Sequence, residues 1–67
     1  MYSVTYQTKK GGSGVQTSST LEPIQKKVIS LFKQKLPATV YKDGKQIGKV
    51  FEDNSQRLGW NWYIEIN

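Results

Sequence analysis

Residues Leu21 to Leu36 read LEPIQKKVISLFKQKL. The apolar members Leu21, Ile24, Val28, Leu31, Phe32 and Leu36 recur at the spacing of one helical face, while Lys26, Lys27, Ser30, Lys33 and Gln34 fall largely away from it. Ser19 followed by Glu22 has capping-box spacing, and Pro23 suits a first turn, where its missing N–H matters little. Pro37 ends the helix, and the lysines gathered toward its carboxyl end suit the negative pole of the helix dipole. A helix with a single apolar face needs a second layer to cover that face, and the rest of the chain must supply it.

On the amino-terminal side, Tyr2, Val4 and Tyr6 alternate with Ser3, Thr5 and Gln7, the period-two pattern of a strand with one buried face. Thr8 to Thr20 is polar and carries Lys9, Lys10 and the run Gly11, Gly12, Ser13, Gly14. Two readings fit this stretch: a flexible loop, or a hairpin whose return strand runs from Val15 through Ser18 as a sheet edge. On the carboxyl side, Ala38–Lys42 and Lys45–Phe51 flank Asp43-Gly44, a strong two-residue hairpin signal. A regular hairpin sets Lys42 opposite Lys45, Val40 opposite Ile47 and Ala38 opposite Lys49. Glu52 to Leu58 reads as a polar loop. Gly59 then introduces a last strand, Trp60–Ile66, with Trp60, Trp62, Ile64 and Ile66 on one face and Asn61, Tyr63 and Glu65 on the other.

The expected architecture is α+β, in β(β)αβββ order: one helix packed on one face of a small, mostly antiparallel sheet of three to five strands. The 67 residues hold one small basic domain with no repeat and no internal boundary. The other sheet face must then meet solvent or a partner.

Composition narrows the function. Cysteine and histidine are absent, which removes disulfides, the usual zinc ligands, and the commonest nucleophiles and general base. The acids Glu22, Asp43, Glu52, Asp53 and Glu65 each have a structural explanation as cap, turn or loop solvation. Adjacent Glu52 and Asp53 diverge on a strand and make a poor Mg²⁺ site. No catalytic residue, cofactor or metal is expected. No apolar run is long enough for a membrane span, and Met1–Gln7 alternates where a secretory leader would carry an apolar block, so a cytoplasmic setting is expected. The amphipathic helix is assigned to the core and not to a lipid surface.

Ten basic residues against five acidic ones leave a net charge of +5, which favours anionic partners. The eight aromatic residues Tyr2, Tyr6, Phe32, Tyr41, Phe51, Trp60, Trp62 and Tyr63 accompany nine lysines and the single Arg57. Trp60 and Trp62 belong to an apolar stripe, whereas Tyr41 and Tyr63 alternate with polar neighbours and are assigned to the open face. Bases stack on such rings while lysines neutralise phosphates, and the scarcity of arginine implies little reading of base sequence. The bare G-x-x-G of Gly11–Gly14 is a turn or a phosphate-approaching loop. The leading expectation is a non-enzymatic module for nucleic acid, RNA or DNA, single-stranded by preference. Lys9, Lys10, Lys42, Lys45, Lys49 and Arg57 would contact phosphate, and Tyr41 and Tyr63 would stack. The alternative is a protein-interaction module, an accessory or inhibitory factor, that binds an acidic protein through the open sheet face or an edge strand.

Overall fold

A computed structural model describes residues 1–65 and contains one helix against one antiparallel sheet. The elements are β1 (Tyr2–Gln7), β2 (Ser13–Ser18), α1 (Leu21–Lys33), β3 (Ala38–Lys42), β4 (Lys45–Glu52) and β5 (Trp60–Ile64), with sheet order β2-β1-β3-β4-β5. The stretch that admitted two readings is therefore a hairpin, with β2 forming one edge. Ile66, expected at the end of the last strand, lies outside the described residues.

Three helix residues, Ile24, Val28 and Leu31, are buried against Val4, Ala38, Val40 and Val50 of the three middle strands. Tyr2, Tyr6, Leu21, Phe32, Leu36, Ile47, Trp60, Trp62 and Ile64 close the rim of this core. The aromatic stripe of β5 thus packs beneath the helix, as its alternation with Asn61 and Tyr63 requires.

The helix ends differ from the expected ones in detail. Its N-cap is Thr20 and not Ser19, and no side chain caps it. With the start one residue later, the third helical position is Pro23, which has no N–H for a capping hydroxyl to accept. Ser18 Oγ instead accepts the Thr20 N–H at 3.2 Å, and Glu22 reaches Lys26 at 3.6 Å. At the other end Leu36 N–H bonds the Leu31 carbonyl and Lys35 N–H that of Phe32, with Lys35 at φ 58°. This is a Schellman closure with lysine in the left-handed position usually held by glycine. It ends the helix three residues before Leu36, which still packs on the core.

The β3–β4 hairpin turns at Asp43 (φ 51°) and Gly44 (φ 84°), two left-handed residues as a type I′ turn demands. Lys42 faces Lys45 as expected, but the register shifts between Val40 and Tyr41, so that Val40 faces Gly48 and Ala38 faces Val50. The expected pairs Val40 with Ile47 and Ala38 with Lys49 are not formed. Ile47 is the extra residue of a bulge, and Lys49 moves from the covered side to the open side of the sheet.

Candidate nucleic-acid interface

Cross-strand partners share a face, so the register reads out the uncovered side of the sheet. Val15, Thr5, Thr39, Lys49 and Tyr63 form one row across all five strands, and Thr17, Ser3, Tyr41 and Gln46 form the row beside it. Phe51 and Asn61 lie on the other flank. Apart from Val15, the side chains in these rows are polar, aromatic or cationic.

Within this surface Phe51 and Tyr63 meet edge to face, with ring centroids 6.2 Å apart and planes at 70°. Lys49 Nζ lies 4.8 Å from the centre of the Phe51 ring. The lysine is thereby held beside two aromatic rings, an arrangement favoured by the negative ring faces. Tyr63 is 40% exposed and Tyr41 half-buried, so the rings present area to solvent. Tyr41 stands two strands and two residues away from Tyr63, roughly 12 Å by ordinary sheet spacings, and makes a second, separate ring position. Beside Lys49 a shallow groove of about 340 Å³ is bordered by Pro37 and by the hydroxyls of Thr5, Ser13 and Thr39 and the amide of Gln7.

The remaining basic candidates lie elsewhere. Lys42 pairs in register with Tyr2 and places Nζ 5.6 Å from that ring, on the helix side of the sheet, with Lys45 opposite it at the turn. Lys9 and Lys10 sit in the β1–β2 turn, at the far end of the sheet from Lys42. Arg57 is in the β4–β5 loop at that same far end but beside the opposite edge, lining a groove with Phe32, Leu58 and Trp60. The structure thus brings Tyr41, Lys49 and Tyr63 onto one face and distributes Lys9, Lys10, Lys42, Lys45 and Arg57 around its rim. Phe51 is the residue that sequence reasoning left out of the site. The signal that could have found it is Gly48, since a glycine inside a strand often marks a bulge or a close backbone approach.

The glycine-rich turn has an internal explanation. Gly11 N–H donates to the Thr8 carbonyl, Gly12 N–H to Thr8 Oγ1, and Gly14 lies beneath the Tyr6 ring. Two backbone N–H groups of the loop are thus already engaged within it.

Two carboxylates are held below their ordinary range. Asp43 accepts from the Met1 amino group at 2.7 Å, whose hydrogen bond and charge both favour the ionised form. Asp53 accepts from Ser55 Oγ at 2.6 Å and from Ser55 N–H at 3.0 Å, with the hydroxyl the larger cause. Asp53 is thereby turned into its own loop. Among the described residues no group of three or more potential ligands could hold a metal ion, and no helix is long and apolar enough to cross a membrane. Comparison of the chain with protein-family models, with curated proteins and with solved structures finds no match.

Proposed function

We propose that this protein is a non-enzymatic module that binds single-stranded nucleic acid on its open sheet face. The observation that supports the reading best is the cluster of Lys49, Phe51 and Tyr63, a cation and two rings together on the open face of the sheet. Bases would stack on Tyr63, Phe51 and Tyr41. Lys49 would neutralise a phosphate, with the hydroxyls of Thr5 and Thr39 in the groove donating to sugar and phosphate oxygens. Lys45 at one end, and Lys9 and Lys10 at the other, would meet the backbone as it leaves the face.

With about four phosphates neutralised, the log–log salt slope for single strands should be near −3. Lys49→Gln should reduce the slope by about 0.7 and weaken all sequences alike. Tyr63→Ala or Phe51→Ala should remove about 1 to 3 kcal/mol with the slope unchanged. Fluorescence-anisotropy titration of short labelled DNA and RNA strands over a range of salt measures both effects, with Lys26→Gln on the helix as a control. Absence of binding at low salt would defeat the proposal and favour an acidic protein as the partner of this face.

A further inference from the structure

The two edges of the sheet are not equivalent. Backbone groups alternate sides along a strand, and Gln7 N–H donates across to the Pro37 carbonyl at the start of β3, while Thr8 N–H donates to Gly12 on the β2 side. Tyr2, Val4 and Tyr6 therefore turn their backbone groups to β2, where their partners Ser18, Gln16 and Gly14 receive them. Ser13, Val15 and Thr17 are left with N–H and C=O groups directed outward. At the opposite edge the same alternation, set by Glu65 N–H donating to the Ile47 carbonyl, directs Trp62 outward, and there Asn61 Oδ1 accepts the Trp62 N–H at 2.8 Å. The central outward N–H of that edge is thus already taken by a side chain of its own strand.

β2 has none of the devices that blunt an edge. It contains no proline, no bulge and no charge, and the charge-free stretch extends from Gly11 to Leu21 in a chain that is 22% charged. Val15, a β-branched apolar residue, is 62% exposed at its centre. The Tyr6 ring lies against Gly14 from the helix side, 2.7 Å from where a Cβ would stand, and fixes the strand on the sheet.

We propose that β2 pairs with β2 of a second copy of this chain, antiparallel about a twofold axis at Val15, to make a continuous ten-stranded sheet. The outward groups match themselves under that operation: Val15 meets Val15 of the second copy, and Ser13 meets its Thr17, each as a hydrogen-bonded pair. The like charges of two basic chains stay apart, because the Lys9–Lys10 turn of one copy falls beside the uncharged Ser18–Thr20 of the other. The open faces of the two copies become one surface. A six-residue strand buries little area, so the dimer is weak, with a dissociation constant between about 10 µM and 1 mM.

Sedimentation of the full chain over that concentration range tests the pairing. The parent should shift from monomer to dimer. Val15→Lys and Val15→Glu each set like charges against one another at the axis and should weaken the dimer at least about tenfold, while an equimolar mixture of the two variants should restore it. Val15 is exposed, so the melting curves of the dilute variants should match the parent's. A parent that stays monomeric at about 1 mM, or a dimer indifferent to Val15→Lys, would overturn the proposal. A mixture that fails to recover would overturn the twofold register, and capture of an unrelated extended peptide by a monomeric parent would assign the edge to another occupant. None of these outcomes depends on nucleic acid binding.

Discussion

At Gly48 an added methyl group would overlap the Tyr63 carbonyl oxygen and come within 3.0 Å of Ile64 Cα, so β4 has no room for a side chain where β5 passes it. The constraint is steric, not conformational. Gly48→Ala should cost about 1 to 3 kcal/mol or more by forcing β5 away, and should disturb the ring contact between Phe51 and Tyr63. Chemical denaturation followed by tryptophan fluorescence reads the loss, since Trp60 and Trp62 are both in the displaced strand. Protonation of Asp53 acts on the adjoining loop. A carboxyl whose folded pKa is depressed contributes stability that is present above its unfolded pKa, near 3.9, and lost as pH falls through the lower folded value. The melting temperature should therefore fall below about pH 4, with Asp43 adding to the fall, and Asp53→Asn should flatten part of it in calorimetric scans from about pH 2 to 6.

Among the elements, α1 was the most legible in sequence, because Leu21, Ile24, Val28, Leu31 and Phe32 share one helical face and the strands flanking it supply a sheet to cover that face. Its ends were less so. The Ser19–Glu22 spacing suggested a capping box, but the helix is capped one residue later at Thr20, which sets Pro23, without an N–H, at the third helical position. Lys35 holds a left-handed conformation that costs a side-chain-bearing residue roughly 1 to 2 kcal/mol. Lys35→Gly should raise stability by about 0.5 to 1 kcal/mol once the greater freedom of glycine in the unfolded chain is counted, and thermal melts would show it. The Asp43-Gly44 turn was equally plain, yet the bulge three residues on, at Ile47, was not, because the neighbouring Gly48 marks an irregularity without saying which way the register shifts. That one extra residue moved Lys49 and Phe51 to the open face. The tyrosines of the site were therefore legible from their polar neighbours, while the lysine and phenylalanine between them depended on register.

At the scale of the molecule, stability rests on a core of seven buried residues among those described, with a rim of partly covered aromatic and aliphatic side chains. A domain of this length has roughly 3 to 10 kcal/mol in total, and Ile24→Ala or Leu31→Ala should remove about 2 to 5 of it. Phe32→Ala should cost less than these, since Phe32 is only half-buried and borders the groove beside Arg57. Melts of the three variants in denaturant would check that order. The same two-layer construction leaves one side of the sheet uncovered, and the proposed function depends on that side. Amide and side-chain NMR shifts of the full chain, followed while a short single-stranded oligonucleotide is added at low salt, test this most directly. Perturbations should concentrate at Thr39–Tyr41, Lys49–Phe51 and Asn61–Tyr63 and leave the solvent side of α1, Lys26 and Lys33 included, unmoved. Shifts centred on α1, or a spectrum that does not change, would contradict the proposed function.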